Sequence, residues 1–237
     1  MDLYVVVAII ATAFIQSIFG VGVLLFGTPL LLIAGYDFVY ALTVLLPISL
    51  VINLFQIVQG KAQINLKFYR KLLIYTIPPI VLSLAFAVKM QINVSLFIGS
   101  FLLFISLKSL SLTVEKTIAS LFRFDRIYFI SQGIIHGLTN LGGSLLTSKI
   151  FSMDIGKAEK RATVSLSYFT FALFQIVTLV SLGELVDFNF NYVFIGAVVF
   201  VLTDYFVYKN MSNKKYDNLF AVFLFLSGCM LIYMGLF

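Results

Sequence analysis

Residues 127–150 read IYFISQGIIHGLTNLGGSLLTSKI, an apolar stretch interrupted by four glycines. Basic clusters lie on both sides of it, at 108–126 and 149–161. Because cytoplasmic loops of membrane proteins carry an excess of Lys and Arg, both ends are expected on the same face of a membrane. Two full helical crossings need about 40 residues, and this stretch is too short for that. We therefore predict a re-entrant hairpin, or two short helices, joined at the glycines.

The composition places the whole chain in a bilayer. Of its 237 residues, 61% are hydrophobic and 11% are charged, against roughly 25% charged in a soluble domain. The net charge of +6 comes from short basic clusters between apolar runs. We therefore expect the partner of the chain to be a lipid bilayer and not a nucleic acid. The apolar stretches are 3–35, 38–59, 71–88, 94–113, 127–150, 162–182, 191–208 and 218–236.

The basic residues also predict the topology. Fifteen of the sixteen Lys and Arg lie at 61–71, 108–126, 149–161 and 209–215. With these loops in the cytoplasm, the chain is a multi-pass protein of the cell membrane with both termini extracytoplasmic. The stretch 3–35, broken by Gly20, Gly22, Gly27 and Pro29, then becomes a second hairpin that enters from outside.

The fold class predicted is an all-α integral membrane protein with two inverted repeats. Each repeat is a Gly-broken hairpin followed by three transmembrane helices, at about 3–113 and about 127–236. Residues 114–126 form an amphipathic cytoplasmic linker within a single transporter domain. The segments Phe19-Gly20-Val21-Gly22 and Thr139-Asn140-Leu141-Gly142 occupy matching places in the two halves. Inverted repeats with broken helices are typical of secondary transporters, whose sites lie at the repeat interface.

The candidate site follows from the breaks in the helices. We expect the two hairpin tips to meet near the membrane centre, each presenting free amides at a half-helix N-terminus, where an anion is favoured. Polar side chains near the tips and on neighbouring spans would donate hydrogen bonds to it; Gln56, Thr163, Ser167 and Gln175 are further candidates of this kind. The substrate-binding residues predicted are Gln16, Gly20, Gly22, Thr28, Asn53, His136, Asn140, Gly142, Gly143 and Ser144.

Each candidate has a structural alternative. The glycines could serve only close helix packing, and the polar side chains could bond helix to helix. His136, the single histidine, could sense protons or bind an anion, or it could be neutral and bonded to a carbonyl. Lys149 could extend to the cytoplasmic surface or attract anions, and Asp204 is expected to pair with a lysine of 209–215. No catalytic cluster, metal-ligand set or cofactor motif is found, so we expect a protein that is not an enzyme.

On these motifs the chain resembles the TauE/SafE permeases, also called sulfite exporters, over essentially its full length. Each half of that family opens with a motif of the type G-x-G-G-G, followed by proline. Here the first copy is Gly20-Val21-Gly22-Val23-Leu24, then Thr28-Pro29-Leu30. The second is Asn140-Leu141-Gly142-Gly143-Ser144, with Lys149-Ile150 where proline is expected. The resemblance implies transport of sulfite, sulfonates or related sulfur-containing anions.

The expected function is therefore secondary transport of a small anion, as an exporter working by alternating access. A cell interior at negative potential drives an anion outward by about 2.3 kcal/mol per charge per 100 mV, so efflux would need no coupling ion. A channel, or a permease for an organic acid or divalent cation, remains the alternative. A homodimer is left open.

Overall fold

The structure, a computed structural model, describes residues 2–60, 64–92, 94, 97–100, 103, 124–151, 153–184 and 189–207. Within these ranges the chain is helical and contains no strand. The predicted span at 218–236, most of that at 94–113 and nearly all of the linker lie outside the described residues.

The first half is described by five helices. They are α1 (Leu3–Phe19), α2 (Val23–Ile33), α3 (Phe38–Gly60), α4 (Leu66–Tyr75) and α5 (Ile77–Lys89). The second half is described by four, which are α6 (Asp125–Thr139), α7 (Gly143–Phe151), α8 (Lys157–Ser181) and α9 (Phe190–Val207).

Both predicted helix breaks are present. The helix α1 ends at Gly20, whose φ is +75°, and α6 ends at Asn140, whose φ is +62°. In each case the capping amide donates to the carbonyl four residues earlier, at 2.8 Å to Gln16 and 2.7 Å to His136. Glycine adopts this left-handed conformation freely, and asparagine is among the few other residues that visit it. The chain then turns and begins a short second helix in each hairpin.

Three helical segments are long and apolar enough to cross a membrane: Phe38–Gln59, Leu66–Lys89 and Ala158–Ser181. Two of them begin earlier than predicted. Residues 66–71 and 157–161 were expected in loops but form the first turns of α4 and α8. For α4 the reason is local, because the Asn65 side chain accepts a hydrogen bond from the Phe68 amide at 3.0 Å and caps the helix. The span is interrupted at Thr76, just before a Pro-Pro pair that cannot donate backbone hydrogen bonds.

The packing is apolar outside and polar inside. Along α1, the side chains Leu3, Val7, Ile10 and Phe14 follow one another at helical spacing and are all exposed. Thr12, Gln16 and Ser17 of the same helix are buried, as are Asn53 on α3, His136 on α6 and Gln175 on α8. This distribution is the one expected of helices that face lipid, and it makes the chain a multi-pass membrane protein. The main helix pairs are α3 with α8, α5 with α6, and α1 with α9.

Candidate functional site

A glycine allows each hairpin to close. A Cβ on Gly22 would lie 2.6 Å from the carbonyl oxygen of Thr12. A Cβ on Gly142 would lie 2.4 Å from the carbonyl oxygen of Gln132. Neither distance is available to a real side chain, so both positions require glycine for the second helix to pack against the first.

The two tips have the same backbone plan. Equivalent positions are 120 residues apart, as Gly20 is from Asn140 and Gly22 is from Gly142. By the same offset, Gln16 in the first hairpin corresponds to His136 in the second. The two hairpins therefore share a framework but carry different side chains at two of its polar positions.

In the first hairpin, Gln16 caps the second helix. Its Oε1 accepts from the Val23 amide at 2.9 Å, and its Nε2 donates to Asn53 Oδ1 at 3.2 Å and Gln56 Oε1 at 3.3 Å. Asn53 in turn donates to the Ser49 carbonyl at 2.8 Å. The structure thus brings together the predicted residues Gln16 and Asn53, and their functional groups bond to protein.

In the second hairpin, Asn140 joins the two halves of the chain. Its Nδ2 donates to Thr28 Oγ1 on α2 at 2.8 Å, and its Oδ1 accepts from Gln175 Nε2 on α8 at 3.3 Å. All three side chains are fully buried. Two predicted residues from opposite halves, Thr28 and Asn140, are therefore in direct contact.

His136 does not make the carbonyl hydrogen bond that was one expectation for it. The side chain is fully buried, and its ring lies 4.6 Å from the Phe171 ring, centroid to centroid. Gln175 lies beside the imidazole, but no hydrogen bond of normal geometry joins them, and both ring nitrogens lack a partner within the described part of the chain. Gln175 Oε1 and the Tyr168 hydroxyl are likewise buried without a partner there.

The tips lie beside different parts of α8, and the two hairpins meet where Asn140 at the second tip bonds to Thr28 on α2. The first tip lies against the start of α8, since a Cβ on Gly20 would be 3.3 Å from Arg161 Cγ. The second tip bonds to Gln175, fourteen residues further along the same helix, or about 21 Å of helix length. The first tip therefore lies beside the start of α8 and the second beside its later part.

The remaining predicted residues lie at the start of α7. Ser144 Oγ donates to the Leu141 carbonyl at 2.8 Å, a local bond within the turn. Gly143 packs so closely on Tyr168 that a Cβ there would be 1.7 Å from the phenolic oxygen. The amides of Gly143 and Leu145 have no hydrogen-bond acceptor among the described residues, as expected for the first turn of a helix.

Two charged side chains near the hairpins form ion pairs. Lys149 Nζ donates to Asp125 Oδ1 at 2.8 Å, and Asp125 also pairs with Lys71 on α4. Hydrogen bonds from Lys149 and Lys71 lower the pKa of Asp125 to about 2. Asp204 pairs with Arg161, and the lysines of 209–215 with which it was expected to pair lie outside the described residues. Both partners of this second pair are largely buried, so α8 and α9 are linked by charge inside the bundle.

Sequence reasoning missed Arg161 and Tyr168, which now lie beside Gly20 and Gly143. A signal for their neighbourhood was present in the chain. The pentapeptide LFQIV occurs twice, at 54–58 and 173–177, with its glutamine at Gln56 in one copy and Gln175 in the other. Each glutamine lies beside its own hairpin tip. An identical pentapeptide in the third helix of both halves would have led to these tips directly.

A separate open pocket of about 690 Å³ lies away from the hairpin tips. Its lining includes the carboxylates of Asp37 and Glu184 and none of the predicted site residues. Two carboxylates disfavour an anion, so this pocket is not the candidate site. Within the described ranges there is also no group of three or more metal-binding side chains.

Broken helices that pack buried polar groups inside an apolar exterior define a membrane transport protein. The comparison with known families agrees, because the model described as "Sulfite exporter TauE/SafE" matches residues 4–231. The chain belongs to this family, which is a family of membrane transporters and not of enzymes. No curated protein and no solved structure matches the chain.

Proposed function

We propose that the chain exports a small sulfur-containing anion, sulfite or a sulfonate, across the cell membrane by alternating access. The observation that carries the proposal is the buried pair of hairpins. Each places the N-terminus of a short helix inside the bundle, at Gly22–Val23 and Gly142–Gly143. A helix N-terminus inside a low-dielectric bundle attracts an anion through its free amides and its dipole.

The link between the halves supports alternating access. Thr28 and Asn140 are the contact between the first hairpin and the second, and both are closed to solvent. A carrier must release such a contact on one side while keeping the other side closed. We propose that the two hairpins belong to inverted repeats, at about 3–113 and 127–236, which rock against each other with their termini outside the cell. A homodimer would be compatible with the exposed apolar faces of α1 and α9.

A channel and a cation permease are the alternatives. Two described carboxylates, Asp125 at the start of α6 and Asp204 on α9, do not favour a cation, because each is held by a basic partner. A channel is separated from a carrier by kinetics. Unlabelled substrate on the far side of the membrane raises the flux of labelled substrate through a carrier and does not raise the flux through a channel.

The first test is anion binding by the purified full-length chain. Thermal stability would be measured with sulfite, sulfate, thiosulfate, methanesulfonate, sulfoacetate and chloride. We expect a selective rise in Tm with a sulfur oxyanion, and its loss in Asn140→Leu. The matched control is Thr178→Val, one turn from Gln175 on α8, since its hydroxyl only donates to the Phe174 carbonyl at 2.7 Å.

Transport would then be measured in proteoliposomes by counterflow of labelled sulfite. Stimulation by internal sulfite is the result expected for a carrier. Stabilisation by a cation or a neutral solute, with no response to any anion, would refute the sulfur assignment while leaving the fold unchanged.

A further inference from the structure

The two hairpin tips differ in how their polar groups are used. At the first tip, the Gln16 amide bonds with both its oxygen and its nitrogen and caps α2. At the equivalent place in the second tip stands His136, and the α7 N-terminus has no side-chain cap from it. Among the described residues, the first tip leaves one buried polar atom without a partner, Gln56 Nε2, whereas the second leaves both His136 nitrogens, Gln175 Oε1 and the Tyr168 hydroxyl. Burying such groups costs free energy, about 1–3 kcal/mol each, unless a ligand uses them.

The orientation of Gln175 is fixed from the other half of the chain. Thr28 accepts from the Asn140 amide, and the Asn140 oxygen accepts from Gln175 Nε2. With its nitrogen used in this way, Gln175 presents its unpaired Oε1 beside the imidazole. That oxygen can only accept, so it requires an N–H on the nearer nitrogen of His136.

Tyr168 is a second neighbour of the His136 ring. The His136 and Tyr168 rings are 6.3 Å apart, centroid to centroid, and nearly perpendicular. The Tyr168 hydroxyl lies against Gly143, at the first turn of α7. The imidazole, the Tyr168 hydroxyl with Thr147 beside it, and the first turn of α7 are therefore neighbours. When both imidazole nitrogens carry protons, the imidazole, the tyrosine hydroxyl and the free α7 amides can all donate hydrogen bonds.

We propose that the pocket of His136, Tyr168 and the N-terminus of α7 binds one oxyanion together with one proton, which resides on the His136 imidazole. In the binding step, the neutral imidazole takes up one proton and the resulting imidazolium pairs with the anion. The proton and the anion together add no net charge to the protein. One imidazolium N–H donates to Gln175 Oε1 and the other donates to the anion. This inference rests on the proposed function, and it replaces the efflux of a bare anion expected from the sequence by movement of an anion with a proton.

The surroundings of His136 assign the proton to it. On α8 the titratable group that faces it is Tyr168, whose hydroxyl can donate a hydrogen bond. On α7 and α4 the charged groups near the hairpin, Lys149 and Lys71, are engaged with Asp125, eleven residues before His136, or about 16 Å along α6. On α5 the described charged residue is Lys89, at the far end of that helix. A proton taken up in this pocket is therefore held by the imidazole.

The test is calorimetry with methanesulfonate on the full-length chain, because this sulfonate stays ionised throughout the pH range used. Titrations in two buffers of different ionisation enthalpy report the protons taken up per anion bound. We expect close to one proton per anion for the wild type near neutral pH. The Kd should rise by up to tenfold per pH unit as the pH rises through the range in which the free imidazole is neutral.

The matched variant is His136→Gln, which installs the residue that the first hairpin carries at the same position. Proton uptake should fall to near zero and the pH dependence should disappear, while Ser165→Ala, a buried α8 residue with only a local bond to the Arg161 carbonyl, should behave as the wild type. Binding without proton uptake by the wild type would refute the role of His136 and keep the anion site. Absence of methanesulfonate and sulfite binding at every pH would remove both this inference and the proposed function. The wild-type measurement decides the question even if the variant does not fold.

Discussion

Replacing Asn140 tests how the two halves of the chain are held together. This residue ends α6 in a left-handed conformation with a φ of +62°, and its amide bridges Thr28 and Gln175. Two substitutions separate these roles. Asn140→Gly removes the bridge but accepts the backbone conformation, as Gly20 does in the first hairpin. Asn140→Ala removes the bridge and also forces an alanine into the left-handed region.

The expected magnitudes follow from these contacts. Losing two interhelical hydrogen bonds costs about 0.6 kcal/mol each in a membrane protein. The two buried partner groups left behind add about 1 kcal/mol each, so Asn140→Gly should lower the free energy of unfolding by about 3 kcal/mol. A left-handed conformation costs a residue with a Cβ about 1 kcal/mol more. Asn140→Ala should therefore lower the free energy of unfolding by about 4 kcal/mol.

The assay is reversible unfolding of the purified chain in mixed micelles, followed by circular dichroism as the fraction of denaturing detergent rises. We predict that the wild type is the most stable, the glycine variant is less stable and the alanine variant is the least stable. Equal destabilisation by glycine and alanine would refute the conformational argument. If neither variant is destabilised, the bridge between Thr28 and Gln175 does not hold the halves together.

Three further perturbations have defined outcomes. Gly142→Ala should lower the free energy of unfolding by about 2–3 kcal/mol, because the new Cβ would overlap the Gln132 carbonyl. The control is Gly156→Ala, whose Cβ would stand in open space and should change the free energy of unfolding by less than about 0.5 kcal/mol in the same micelle assay. Equal effects of the two substitutions would contradict the close packing at Gly142. Arg161→Met should lower the free energy of unfolding by about 3 kcal/mol, because it leaves the buried Asp204 carboxylate without its cation. Adding Asp204→Leu should restore most of that lost stability. Additive losses in this double-mutant cycle would argue against the ion pair. Asp125 has a lowered pKa, so its contribution is complete above about pH 4 and disappears as the pH falls towards 2. Because the Asp125 side chain is 46% exposed, we expect it to contribute less than about 1 kcal/mol to the free energy of unfolding. The measurement compares the stability of the wild type and of Asp125→Asn as the pH is lowered. Identical dependence of stability on pH in the two proteins would contradict this prediction.

The helix breaks could be predicted from the sequence because their cause is local. Glycine at 20, 22 and 142 and asparagine at 140 are residues that tolerate left-handed backbone or close approach, and basic clusters at 149–161 and 108–126 limited how the second stretch could cross. The contacts of Asn140 were not predictable in the same way. They depend on which residue of a distant helix lies at the same depth, and Thr28 is 112 positions away.

The positions of charges were predicted least well. Loop boundaries at 61–71 and 149–161 were drawn where apolar residues stop, but helices continue into charged sequence when a cap such as Asn65 is available. For the same reason the pairing of Asp204 with Arg161 was not predicted. Arg161 lies on the first two turns of α8, which sequence analysis had treated as a connection.

The offset between the hairpin tips has an electrical consequence. Along α8 the contacts of the two tips are separated by about 21 Å, and along α2 the step from Gly22 to Thr28 is about 9 Å, so the tips are offset by about 9–21 Å. That is about one third to two thirds of a hydrocarbon core about 30 Å thick. A bare anion that passes from one tip to the other would cross the same share of the membrane field, worth about 0.7–1.6 kcal/mol per 100 mV. The same anion accompanied by a proton would cross without electrical work, so the voltage sensitivity of transport measures the charge of the loaded site.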